Sequence, residues 1–216
     1  ILKRIMLKSM KRADLVIFIS SYAEKIINKS LRKPLKRKAL ITHGVDFDSS
    51  RNQDLDISFI TDNKPYILYP SSIDSYKSQL EVIRSFNIIS ERIKNLPKLL
   101  LVGGVSQNPK YVQEVKDEIK LYNLEKRIQL TGKVDYSYMP ALYNQASFII
   151  FASQSENCPN ILLEAMSSGK MILCSNFEPM PEFAEDSVLY FNPTDPHDLA
   201  DQIEGIYKDS DVFDLY

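Results

Sequence analysis

From residue 65 onward the chain alternates between short apolar runs and segments with apolar residues at helical spacing, with no internal sequence repeat. The apolar runs are PYILYP, KLLLVGG, RIQLTG, SFIIFA, KMILCS and VLYF. The helical segments are SQLEVIRSFNIISERI, PKYVQEVKDEIKLY, a stretch from about Tyr138 to Gln145, NILLEAMSSG and HDLADQIEGIY. In the first of these, Leu80, Ile83, Phe86 and Ile89 mark one helix face. PMPE reads as a short turn before VLYF. Alternation of this kind predicts an α/β domain: a doubly wound, Rossmann-like parallel sheet with helices on both faces.

The first 64 residues read differently. Ile1, Leu2, Ile5, Met6 and Met10 fall at helical spacing among basic residues. Leu15 to Ile19 is an apolar run bounded by polar residues, which predicts a buried strand. Ser20 and Ser21 are natural caps for a helix over about 22–30, and RKALITHGV predicts a short strand ending at Gly44. Residues 46–64 are polar and irregular and read as a linker. Charge is divided too: residues 1–38 hold 12 of the 27 Lys and Arg but 2 of the 28 Asp and Glu. Such a basic block is either a solvated face or a contact for an anionic membrane surface, where each cation contributes about 1 kcal/mol. No apolar run approaches the roughly 20 residues of a membrane span, and no charged-then-apolar leader opens the chain.

In an open parallel sheet, ligands bind beyond the carboxyl ends of the strands. Candidate residues therefore lie at the ends of LYP, LVGG, LTG and IIFA: Ser71 and Ser72 follow the first, and Gly103 belongs to the second. Several chemistries are excluded there. The six glycines form no G-x-G-x-x-G, against a dinucleotide-binding dehydrogenase. Gly169-Lys170 looks like the end of a phosphate loop, but Glu164 stands where the first glycine is needed; Gly169 is a left-handed helix end. No G-x-S-x-G occurs, and the two histidines, His43 and His197, are scattered, against a Ser-His-Asp or Cys-His hydrolase. Cys158 and Cys174 form no C-x-x-C, so no metal site is predicted, and the thiols read as reduced in a cytoplasmic protein. The basic cluster stands apart from the ligand edge, against nucleic-acid binding.

What remains is SENCPNILLEAMSSGK, residues 155 to 170. Pro159 sets the helix start near Asn160, so Glu156 lies on the loop before it and Glu164 in its second turn. A helix N-terminus presents N–H groups and partial positive charge, which suit a diphosphate. Carboxylates accept hydrogen bonds from adjacent hydroxyls of a sugar or ribose. A ligand with a central diphosphate and a polyol at each end, a nucleotide-sugar, fits both acids reaching one cleft. The competing interpretation is an ordinary N-terminal helix acid and a solvated loop acid.

The segment resembles the E-x7-E motif of glycosyltransferase family 4, the retaining "group 1" enzymes of GT-B fold. ENCPNILLEAM, SNFEPMPE and YFNPTDPHDLA follow in that family's order, after ADLVIFIS, HGVD, YKSQLEVIRSF, LLLVGG and QLTGKV. The resemblance covers nearly the whole chain. It implies that Glu156 contacts donor-sugar hydroxyls, Glu164 the ribose, and Lys77 the departing diphosphate. It also implies that backbone N–H groups of Asn160, Ile161 and Leu162 face the distal phosphate and sugar. Lys133 and Val134, after Gly132, would hold the base, mainly through backbone. Ser71-Ser72 departs from the family, which often has Gly-Arg there, so one fixed cation is missing. Residues 1–45 would be a remnant of an amino-terminal acceptor domain with the inter-domain segment, and 46–216 the carboxyl-terminal donor domain. The acceptor residues, including a histidine that His43 does not replace, would lie outside the chain.

The function implied is transfer of a sugar, with retention, from a UDP- or GDP-sugar to a glycan or lipid-linked acceptor in bacterial surface polysaccharide synthesis. No cofactor or metal is obligatory, because the helix end and Lys77 offset the diphosphate charge. The place of work would be the cytoplasm, peripherally on the inner membrane face. Two alternatives stand beside this: a non-catalytic nucleotide-sugar-binding module, and another GT-B enzyme such as an epimerase or phosphorylase.

Overall fold

The apolar runs after residue 65 become six parallel strands. The computed structural model describes residues 2–31, 33–105 and 108–208. In chain order they form α1 Leu2–Arg12, β1 Val16–Phe18, α2 Ser21–Ser30, β2 Lys38–Leu40, α3 Ser58–Thr61, β3 Tyr66–Pro70, α4 Gln79–Arg92, β4 Lys98–Val102, α5 Pro109–Leu121, β5 Ile128–Gly132, α6 Met139–Gln145, β6 Ile149–Phe151, α7 Asn160–Ser167, β7 Ile172–Ser175, α8 Met180–Ala184, β8 Leu189–Phe191 and α9 Pro196–Lys208. Single 3-10 turns cover Ser75–Lys77 and Tyr136–Tyr138.

Strands β3 to β8 make one sheet in the order β5-β4-β3-β6-β7-β8, every neighbouring pair parallel. The chain steps outward from β3 to β5, returns to lay β6 against β3, and continues to β8. Direction reverses between β3 and β6, the switch point where a doubly wound sheet opens a crevice for ligands. Side chains along a strand alternate between faces. Ile67, Tyr69, Leu99 and Leu101 therefore meet Ile83, Phe86, Ile89, Val115 and Ile203 on one side. Tyr66, Leu68, Leu100 and Val102 meet Leu142, Leu162, Ala165 and Met180 on the other. Both faces are covered, so β3 is buried throughout and carries no polar alternation.

The helix ends follow the sequence signals. Ser20 caps α2, its Oγ accepting from the Ala23 N–H at 3.1 Å. Gly169 follows α7 at φ +65°, a left-handed turn that disfavours any side chain.

Residues before 46 pair β1 with β2 in a separate two-stranded parallel sheet. The strand predicted as buried is buried on one face only: Val16 and Phe18 are covered, while Leu15 and Ile17 are exposed. The β1–β2 ladder closes with the Ile41 N–H donating to Phe18 O at 2.9 Å, so β2 ends at Leu40 and not at Gly44. In α1, Ile5 and Met6 are exposed and Met10 is half-buried; Ile1 and Arg32 lie outside the described residues. The predicted linker contains α3, because the Asp56 carboxylate accepts from the Ser58 N–H at 2.8 Å and Ile57 and Ile60 enter the core. PMPE is not a turn but the start of α8. Proline is tolerated in a first helical turn, and Met180 and Ala184, four apart, are both buried.

Candidate functional site

The strand ends on either side of the switch point surround a cavity of about 210 Å³. Its walls include Ser71 and Ser72 after β3, Gly103 after β4, Lys133 and Val134 after β5, and Ile161 and Glu164 from α7. Seven of the eleven residues singled out in the sequence thus share one cavity. Gly103 has a steric reason to be glycine: a Cβ there would lie 2.0 Å from Ser71 O. The absent side chain lets the ends of β3 and β4 close together, with the Ser71 N–H on Val102 O at 2.9 Å, while the Gly103 N–H on Gly132 O at 3.0 Å ties β4 to β5.

Glu164 is held from both sides. The Tyr136 hydroxyl donates to its Oε1 at 2.8 Å, and the Tyr143 hydroxyl to its Oε2 at 3.2 Å. Desolvation first, then the Glu164 hydrogen bond and charge, pushes the Tyr136 phenol up to about 12. Burial first, then the same carboxylate, raises Tyr143 further. Both remain hydrogen-bond donors at neutral pH. The Phe47 ring lies edge-on to both, 5.9 Å from Tyr136 and 5.4 Å from Tyr143 between centroids.

Lys77 and Glu156 meet across the switch point itself, one after β3 and the other after β6. Lys77 is 5% exposed, a setting that costs an ammonium several kcal/mol unless it is paired. The pair is there: Lys77 Nζ donates to Glu156 Oε1. The ammonium also lies 5.0 Å from the Tyr76 ring centroid and 5.7 Å from that of Phe151. Its loop is fixed on three sides. The Tyr69 hydroxyl donates to Lys77 O, Gln154 N–H to Tyr76 O at 2.7 Å, and Gln154 Nε2 to Ser78 Oγ at 2.8 Å. These bonds hold Ser78 at φ +54°, outside the ordinary range of a residue with a side chain. The lysine is therefore not a surface residue.

Glu156 is not among the residues lining the cavity; with Tyr76, Ser155 and Asn157 it borders an open depression. Of the three N–H groups expected to face a ligand, two are taken up within the turn. The Asn160 N–H donates to Cys158 O and the Leu162 N–H to Pro159 O, each at 2.9 Å. Leu162 is also fully buried. The carbonyls before α7 fold back tightly enough to satisfy these donors, leaving Ile161, which lines the cavity, as the residue whose N–H has no acceptor among the described residues. The helix end remains open, since Asn160 is exposed.

Comparison with known proteins fits this geometry. Residues 50–214 match the family described as "Glycosyl transferases group 1". The chain belongs to that family. Among curated relatives it is 24% identical over 166 residues to the serotype-specific mannosyltransferase WbdA of Escherichia coli, covering 76% of this chain and 20% of that protein. Among solved structures it resembles Anabaena Alr3699/HepE in complex with UDP and glucose, at a TM-score of 0.83 and 20% identity, covering 98% of this chain and 58% of that one. It also resembles a glycosyltransferase from Rickettsia africae ESF-5, at 0.78 and 21%, covering 96% and 56%. The sucrose-phosphate synthase of Thermosynechococcus elongatus follows at 0.78 and 22%, covering 97% and 53%. The chain thus spans about a fifth of the curated relative and between half and three-fifths of these structures. At such identities the structures establish the shared fold, a GT-B half with a doubly wound sheet.

The group 1 pattern leaves several neighbours of the site unannounced. No motif or spacing in the sequence singles out Tyr136, Tyr143 or Phe47. Tyr136 sits among polar residues with no period, and Tyr143 reads as one more core residue of α6. Gln79 is fully buried, with Nε2 donating to Ser71 Oγ at 3.0 Å and to Ser72 O at 2.8 Å. It braces Ser71 and Ser72 at the cavity wall. His43, set aside as part of the inter-domain segment, places Nδ1 3.4 Å from Asn160 Oδ1 at the start of α7. Only the fold brings these distant positions together.

Proposed function

We propose that the chain binds the nucleotide-sugar donor of a retaining glycosyltransferase. The observation that carries this is the gathering of Glu164, Ser71, Ser72, Gly103, Lys133, Val134 and Ile161 around one cavity at the switch point. The family match and the relatives support it: the curated relative is named a mannosyltransferase, and one structural neighbour was solved with UDP and glucose.

In this reading the ribose lies on Glu164 and the base against Lys133 and Val134. The diphosphate meets the Ile161 N–H and Lys77. An ammonium has three N–H donors, so Lys77 can keep Glu156 and still donate to phosphate oxygens. Glu156 then contacts the donor sugar next to the breaking bond. Lys77 and the α7 terminus offset the charge of the leaving diphosphate, and neither a metal nor a cofactor is required. The acceptor oxygen bonds to the anomeric carbon on the face from which the diphosphate oxygen leaves, which gives retention, and the departing diphosphate takes the acceptor's proton. The donor is a UDP- or GDP-sugar. The acceptor is a glycan or lipid-linked sugar of surface polysaccharide, bound by an amino-terminal domain of which residues 1–45 are the end. The enzyme works in the cytoplasm, with its basic first 38 residues toward an anionic membrane.

Calorimetric titration with UDP and GDP tests the donor site. Glu164→Ala should weaken the nucleotide that binds by about 10- to 100-fold, the worth of hydrogen bonds to a charged acceptor. Unchanged affinity would remove Glu164 from the site.

A further inference from the structure

Each oxygen of the Glu164 carboxylate already accepts one tyrosine hydroxyl, Tyr136 at 2.8 Å and Tyr143 at 3.2 Å. A carboxylate offers about four lone-pair positions. Two remain, one on each oxygen, which is what two adjacent hydroxyls need. We propose that Tyr136 and Tyr143 are positioning residues that aim Glu164 at the ribose 2′- and 3′-hydroxyls, and that Phe47 holds the tyrosines in place. The site is thereby selective for ribonucleotides over 2′-deoxyribonucleotides. This rests on the nucleotide reading above and adds residues that neither the E-x7-E spacing nor the strand-end rule indicates.

The frame around the carboxylate is closed. Tyr143 is fully buried, and a buried hydroxyl without a partner is costly, so Glu164 fixes the ring's polar end. Tyr136 is 58% exposed and has little packing of its own. What orients it is the Phe47 edge, inclined at 71° to its ring and at 85° to that of Tyr143. Phe47 is in turn held by its own segment. Asn144 Nδ2, from the helix that carries Tyr143, donates to Ser49 O at 2.6 Å. Ser49 Oγ donates to Ser167 O, on the helix that carries Glu164, also at 2.6 Å. The segment leading from the small sheet to the large one therefore braces the acid.

The same contacts allow an opposite role, in which the Tyr136 hydroxyl plugs a position that the ribose must take. The two roles differ in sign. The test is calorimetry of wild type, Tyr136→Phe and Phe47→Leu with UDP and 2′-deoxy-UDP, and with GDP and 2′-deoxy-GDP. Wild type should prefer the ribonucleotide of the base that binds by about 10-fold or more, the worth of one hydrogen bond to a charged acceptor. Tyr136→Phe should cut that preference to about 2- to 3-fold by weakening the ribonucleotide alone, as loss of one charged hydrogen bond's geometry requires. Phe47→Leu should fall between. General loosening of the pocket would weaken both sugars alike. An unchanged preference, an equal loss for both sugars, or tighter ribonucleotide binding in Tyr136→Phe overturns the inference and leaves the donor site standing. Failure of wild type to bind any of the four nucleotides overturns both.

Discussion

Glu156 and Glu164 stand eight residues apart, yet the two sides of the ligand edge treat them differently. Glu164 is met by neutral donors, two tyrosine hydroxyls, in a cavity with an aromatic rim. Glu156 is met by a charge, the buried ammonium of Lys77, above an open depression. Neutral donors orient a carboxylate and leave its charge for further hydroxyls. An ion pair offsets the charge and fixes the lysine as firmly as the acid. One side is suited to gripping a polyol, the other to keeping a cation buried at the strand ends. The sequence spacing alone makes the two acids look equivalent; their partners separate them.

That contrast can be broken most severely at Lys77. Lys77→Ala leaves Glu156 without its cation and should cost about 3 kcal/mol of stability in urea unfolding, as removal of one partner of a buried pair does. A loss under about 0.5 kcal/mol, the size typical of exposed pairs, would show that Glu156 is solvated and the pairing incidental. Next comes Gly103→Ala, which drives a methyl group into Ser71 O. It should cost about 1 to 3 kcal/mol and weaken nucleotide binding by moving Ser71 and Ser72; a wild-type melting curve with wild-type affinity would contradict the close approach of β3 and β4.

A smaller effect should appear at the other sheet. Glu182, in α8, accepts from the Ser21 and Tyr22 N–H groups at 2.6 and 2.9 Å, capping α2 from the other region of the molecule. Glu182→Ala should cost about 1 kcal/mol, the worth of a helix cap, with nucleotide affinity unchanged; altered affinity would mean the two regions are coupled through α8. The smallest signal is electrostatic. Sedimentation with phosphatidylglycerol vesicles should exceed that with phosphatidylcholine vesicles and fall as salt shortens the Debye length from about 10 Å at 0.1 M to about 3 Å at 1 M. Equal sedimentation at low salt would leave the basic block a solvated face.

The large sheet was legible because its signal is local. Six apolar runs and the helical periods between them fix strands, helices and, through the strand-end rule, the edge where Ser71, Gly103, Lys133 and Glu164 gather. The E-x7-E resemblance pointed to the family. Other features depended on contacts that no local pattern carries. PMPE reads as a turn until the core receives Met180 and Ala184. β2 seems longer until β1 ends beside it. Tyr136 and Phe47 acquire meaning only when a fold brings residues 47, 136, 143 and 164 together. Helix ends usually leave their first N–H groups free, so those of Asn160 and Leu162 read as ligand donors in the sequence, and here the Cys158 and Pro159 carbonyls take them.

The most direct test of the donor site is a crystal structure of the protein grown with UDP or GDP at saturating concentration. The account predicts ribose hydroxyls on Glu164, with the diphosphate between the Ile161 N–H and Lys77. A nucleotide bound elsewhere, with the first turn of α7 and Glu164 left bare, would contradict it.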